Sequence, residues 1–293
     1  VYTFLRKMKT EKLACPAGRA GFIVGLYSGR MTNDGSWELS LREGRFADAA
    51  ARARLGGAPP NVAGALEDLA EVQRGVKDKR YGAARRALNR YRDSLQDVQD
   101  ANVGAFVNAE ALGRALEALE SAEQARHSDV GELREHLAPA FAHRLTEAEA
   151  HNSVGVLHAL SGEGDAARAA FDRALTLDPA HHRALTNIGN VLLEGGDPQG
   201  AEGYYRRALE LNPDYPGAHH NLAVALRRQR KVAASVRALK TGQRLAARHA
   251  GRESREEARE RFGQLGAGAG KWLRLALIVV AVLVALYALR GGL

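Results

Sequence analysis

Cysteine, tryptophan and proline are scarce in this chain of 293 residues, which holds one cysteine (Cys15), two tryptophans and eight prolines, with aromatic residues at 6%. A single cysteine excludes an internal disulfide, and the lack of any Cys-x-x-Cys pair removes the usual thiolate zinc and redox motifs. No segment alternates β-branched and polar residues at period two, as a half-buried strand does, so a sheet is excluded as the scaffold. Acidic residues are missing from 215–252, where nine lysines and arginines stand without a counter-charge. What remains is rich in alanine, leucine, arginine and glutamate, carries a net charge of +8, and has the makings of an all-α protein.

Signals for catalysis are also poor. Residues 266–271 read Gly-Ala-Gly-Ala-Gly-Lys, but a phosphate loop needs glycine where Leu265 stands and serine or threonine where Trp272 follows. Ten histidines include the pairs His181-His182 and His219-His220. Adjacent helical residues point about 100° apart, and no His-x-x-x-His or Glu-x-x-His spacing is present, so no metal site is expected. His151 and His158, seven apart, are expected to pack between helices. The chain therefore reads as a non-enzyme with no cofactor.

Its strongest positive feature is a period of 34 residues. Gly155 and Gly189, Ala167 and Ala201, Ala174 and Ala208, and Pro179 and Pro213 all fall in step. Such a period marks stacked helical hairpins, each unable to bury its apolar face alone. Mid-helix glycine costs about 1 kcal/mol against alanine, so Gly155 and Gly189 imply close approach of a neighbouring helix. Ala167 and Ala174 flank Phe171, and Ala201 and Ala208 flank Tyr205, placing one large side chain between two small ones. Leu-Asp-Pro at 177–179 and Leu-Asn-Pro at 211–213 stop the second helices, while Gly-Glu-Gly-Asp at 162–165 and Gly-Gly-Asp at 195–197 turn each hairpin.

These residues resemble the tetratricopeptide repeat (TPR). The resemblance covers units 148–181 and 182–215, and a third, 216–249, through Ala223, Leu226 and Leu239, with Ala247 where the closing proline would stand. The opening aromatic of the pattern is replaced by His151, Leu185 and His219. The implied fold is an α-solenoid over 147–250 whose first helices line a concave groove, and the implied partner is a peptide or helix of another protein. Asn187 and Asn221 recur 34 apart, with Asn190 one turn on and Asn152 extending the row. Leu193, Arg227 and Arg228 are expected farther along. An asparagine amide both donates and accepts, so such a row can hold peptide backbone; solvated helix residues are the alternative reading. Some TPR domains grip a C-terminal carboxylate with lysine and asparagine, and those lysines are absent here.

In the acid-free stretch, Arg237, Lys240, Arg244, Arg248 and Arg252 share one helical face. Three readings compete: a solvated capping helix, an anionic-lipid contact, and nucleic acid, which the net charge permits but no aromatic or recognition motif supports. Beyond it, a charged then glycine-rich linker at 251–271 leads to WLRLALIVVAVLVALYAL at 272–289. Eighteen residues at 1.5 Å each span roughly 27 Å, near the thickness of a hydrocarbon core. The expectation is one transmembrane helix, with a buried core helix as the alternative. Arg252, Arg255, Arg259, Arg261 and Lys271 precede it and Arg290 follows, so the bulk of the chain is expected on the cytoplasmic side, anchored by its tail.

Two regions are less legible. Residues 1–30 pair a basic start with GFIVGLY at 21–27 but offer no Ala-x-Ala cleavage site, and Met31 is the expected biological start. Across 31–146, Trp37, Leu39, Leu41, Phe46 and Leu55 mark one amphipathic stretch, and Gly56 to Pro60 an expected boundary. Leu66, Leu69, Val72 and Val76 mark a helix, and Tyr81, Ala84, Leu88, Tyr91, Leu95 and Val98 a helix seam. Phe106 to Leu119 and Val130 to Leu145 supply two more helices. This region is either a divergent arm of the solenoid or a separate helical domain. The whole reads as a membrane-anchored TPR adaptor of unknown oligomeric state, or alternatively a non-catalytic regulatory or assembly subunit of a membrane enzyme complex.

Overall fold

Glycine and aromatic side chains fit together as the 34-residue period demands. In the computed structural model, which describes residues 37–96, 107–125, 127–252 and 254–255, a Cβ built on Gly155 would lie 2.6 Å from the Phe171 ring and one on Gly189 2.5 Å from the Tyr205 ring. Only glycine lets the two helices of each hairpin approach this closely. Phe171 and Tyr205 are fully buried, flanked by fully buried Ala167, Ala174, Ala201 and Ala208.

All regular structure among the described residues is α-helical. Four helices come first: α1 (Trp37–Arg42), α2 (Phe46–Leu55), α3 (Pro60–Lys77) and α4 (Tyr81–Gln96). Then follow α5 (Ala109–Ala125), α6 (Val130–His136) and α7 (Ala138–Phe141). The repeats comprise α8 (Glu147–Leu160) with α9 (Gly164–Leu177), α10 (His182–Glu194) with α11 (Pro198–Leu211), and α12 (Pro216–Arg228) with α13, residues 232–252.

One turn closes each hairpin. Gly162, Gly196 and Arg230, 34 residues apart, all adopt positive φ (77°, 85° and 60°). The next residue donates its amide back five positions: Glu163 to His158, Asp197 to Leu192, Lys231 to Leu226. This is the left-handed helix terminator in which a sixth residue bonds back to the first. The same turn recurs at Gly44 (φ 77°) between α1 and α2 and at Lys79 (φ 55°) between α3 and α4, with Arg45 bonding Ser40 and Arg80 bonding Gly75. The amino-terminal helices thus reuse the hairpin device of the repeats.

Several expectations for 31–146 change. Trp37 to Leu55 is two helices, because Gly44 turns the chain; Leu39 and Leu55 are 53% and 90% exposed and belong to no buried stripe. Residues 56–60 form a turn, not a boundary, since Phe46, Ala49 and Ala53 of α2 share a core with Leu66 and Leu69 of α3. Val130 to Leu145 breaks at Leu137, where Pro139 starts a new short helix. Leu66, Leu69, Val72 and Val76, and Tyr81, Ala84, Leu88 and Tyr91, are buried as the spacing requires. The Leu95 side chain and Val98 lie outside the described residues.

The core is continuous into the repeats, running from Leu41 to Ala150, Val154 and Leu157. Lys77 pairs with Asp178 at 2.7 Å, and His182 Nε2 lies 3.5 Å from Asp78, so the end of α3 is tied to the junction of the first two repeats. Residues 1–30, 256–271 of the linker and the 272–289 segment lie outside the described residues. Among those described, no helix is long and apolar enough to cross a membrane.

Candidate functional site

The first helices of the repeats, α8, α10 and α12, stack so that residues one period apart become neighbours. Glu149 of α8 and Arg183 of α10, 34 apart, form a buried ion pair at 2.9 Å, with the Glu149 side chain fully enclosed and that of Arg183 13% exposed. The His181 Nδ1 accepts from the Ala184 amide at 3.2 Å, which leaves the ring proton on Nε2, 3.0 Å from Glu149 Oε2. Burial opposes the carboxylate charge, but Arg183 and then His181 outweigh it and hold Glu149 down at about 2. This charge cluster was not singled out from the sequence, although the 34-residue spacing of opposite charges was there to find it.

Beside that cluster, pairs of amides join the first helices of successive repeats. Asn152 Nδ2 lies 3.3 Å from both Glu149 oxygens, and its Oδ1 accepts from Asn187 Nδ2 at 2.9 Å. Asn190 Oδ1 accepts from Asn221 Nδ2 and from the Tyr205 hydroxyl, each at 2.8 Å. Burial pushes the Tyr205 phenol above its usual range, so it remains a donor. The asparagines therefore meet as the pairs 152 with 187 and 190 with 221. Among the described residues, Asn187 Oδ1, Asn190 Nδ2 and Asn221 Oδ1 make no bond to protein, while their amide planes are fixed by the bonds already made.

The seven residues expected in the groove occupy different depths. Asn187, Asn190 and Asn221 are half-buried, and Arg227 and Arg228 exposed. Asn152 is fully enclosed beneath Asn187. Leu193 packs with Tyr205, Leu222 and Leu226 in the core between the second and third repeats, and its carbonyl accepts from the Arg228 guanidinium. Leucine at that position is drawn inward by the Tyr205 ring, so it supports the groove from below. A cleft of about 190 Å³ opens beside Asn152, lined by Ser153, Val156 and Leu160 of α8, by Tyr81 and Leu119 of the preceding helices and by His127 of the loop between α5 and α6.

The histidines are placed among helices. His151 meets the Phe141 ring edge-on at 4.9 Å and His158 contacts Glu163. His182 stacks edge-on against Tyr215, away from His181. No cluster of three or more metal-ligating side chains is present among the described residues. Arg237, Lys240, Arg244, Arg248 and Arg252 all lie exposed on α13.

Comparison with known proteins agrees with the hairpin geometry. Tetratricopeptide repeat family models match residues 182–215, the whole second unit, and 204–237. No curated protein matches the chain. Similar solved structures include the second TPR of Spaghetti (RPAP3) bound to an HSP90 peptide, at 19% identity over 33% of this chain and 91% of that one, TM-score 0.33. MamA is 15% identical over 64% of this chain and 94% of its own, TM-score 0.37. PilF of Pseudomonas aeruginosa is 17% identical over 64% of this chain and 78% of its own, TM-score 0.38. None of these reaches a TM-score of 0.5, so the assignment rests on the family models and on the Gly155–Phe171 and Gly189–Tyr205 packing. Over residues 182–237 the chain carries tetratricopeptide repeats.

Proposed function

We propose that the chain is a non-catalytic adaptor whose repeats hold an extended segment of a partner protein along α8, α10 and α12, and that residues 272–289 keep it at a membrane. One observation carries the binding reading: Asn187, Asn190 and Asn221 present oriented amide groups with unfilled capacity on consecutive first helices. A peptide backbone offers one donor and one acceptor per residue, which such a row can match without reading side chains. The membrane reading is supported by the length and apolarity of 272–289, and its orientation by the five basic residues that precede it.

Selection of binders from a random peptide display library tests the groove. The selected peptides should bind the full chain and lose at least about tenfold in affinity on Asn187→Ala with Asn221→Ala, each amide pair contributing roughly 1 kcal/mol. Unchanged binding by a folded double variant would move the site elsewhere. Alkaline extraction of membranes tests the anchor: the chain should stay with the lipid, and release into the wash would contradict it.

A further inference from the structure

We propose that the exposed face of α13 is a docking surface for an anionic phospholipid bilayer. The third repeat departs from the first two at the positions that face outward. Arg168 and Asp172 pair at 3.0 Å on α9, and Glu202 and Arg206 pair at 2.7 Å on α11, both at i,i+4. One period beyond Glu202 and Arg206 stand Val236 and Lys240. An acid has become an apolar side chain, 45% exposed, and the cation beside it has lost its partner.

The rest of the helix follows the same rule. Arg237, Lys240, Arg244, Arg248 and Arg252 are exposed, and no acidic residue occurs anywhere from 216 to 252. At 100° per residue the five cations occupy about 120° of the helix, with exposed Val232 (63%) and Val236 along one border. Buried Ser235 and Leu245 lie about 160° and 80° round the helix from Arg237, outside the arc of cations, and Ser235 Oγ donates to the Ala223 carbonyl of α12 at 2.7 Å. The helix is thus fixed by its core side while cations and valines face out together.

That combination selects the partner. Polyphosphate backbones attract the cations but offer nothing to the valines, and α13 has no phenylalanine, tyrosine or tryptophan on which a base could stack. An anionic bilayer satisfies both, through headgroup charge and an apolar boundary within reach of short side chains. The inference concerns residues 232–252 alone and does not depend on the groove.

Flotation of the full chain with vesicles of phosphatidylcholine, alone or mixed with phosphatidylserine, provides the test, because charge-independent insertion contributes equally to both. Phosphatidylserine should raise binding by at least about tenfold, and added salt should remove the increment. Changing Arg237, Lys240, Arg244, Arg248 and Arg252 to glutamate should abolish the increment while leaving the melting temperature and groove peptide binding intact. Val232→Ser with Val236→Ser should weaken it. Equal binding to both vesicle types, an increment that survives the charge reversal, or tighter binding to duplex or single-stranded nucleic acid than to phosphatidylserine vesicles would overturn the proposal.

Discussion

Glu149 and Arg183, 34 residues apart in sequence, meet as a buried ion pair at 2.9 Å between the first helices of two successive repeats. The pair sets the register of α8 against α10, and Glu149 also meets Asn152, which bonds to Asn187. Taking both charges from water is costly, and their geometry with His181 and Asn152 offsets that cost.

Removing one partner should therefore do more harm than removing both. Glu149→Ala leaves Arg183 buried without a counter-charge and should destabilise by about 3–5 kcal/mol, whereas Glu149→Met with Arg183→Met should be close to neutral. Urea melts of the three proteins read this directly.

Acid should weaken the fold in two stages. Burial, followed for His182 by the nearby His181, lowers the His182 and His143 imidazoles to about 4. Each binds its proton more readily when unfolded, so stability is full above the ordinary histidine value near 6.5. It falls as pH drops toward 4, on the order of 3 kcal/mol per histidine. The depressed Glu149 adds stability above its unfolded value of 4.5, and that contribution is lost as pH falls toward about 2. Melting temperature should decline from pH 7 to 4 and decline less in His182→Gln.

The third repeat supplies a test of the glycine contact. Where the second has Gly189 against Tyr205, the third has Ala223 and Leu239 at the equivalent positions. Gly189→Ala alone should cost about 1–3 kcal/mol through collision with the Tyr205 ring. Adding Tyr205→Leu should recover part of that loss, although Tyr205→Leu alone is destabilising. Chemical denaturation of the four-member cycle gives the coupling.

Arg230 carries the positive φ that glycine takes at 162 and 196. Arg230→Gly should stabilise by up to about 1 kcal/mol by relieving the left-handed strain, net of the added freedom of the unfolded chain. A lower melting temperature would show that the turn is held by contacts of the arginine itself.

The repeats were legible because glycine, alanine and proline serve narrow steric purposes and so keep their positions. Gly189, predicted to admit a neighbouring helix, does so, and the side chain that fills the space is Tyr205. Turns resting on a backbone angle were harder: Arg230 and Lys79 adopt the left-handed conformation without announcing it, and Gly44 divides what read as one helix. The asparagine row was found, but its pairing was not, since Asn152 and Asn187 lie 35 apart and Asn190 and Asn221 31 apart. Glu149 was not legible because, with Glu147, it is one of two acids in a helix's first turn and reads as solvated, and only the stacking of α10 over α8 encloses it.

The most direct test of the groove is the set of side-chain amide resonances of Asn187, Asn190 and Asn221 as a display-selected peptide is added. The three should shift together and saturate with the binding curve, while Asn212, which meets His182 at the far end of α11, stays in place. Shifts at Asn212 with none at Asn190 and Asn221 would contradict a peptide-binding groove on the first helices.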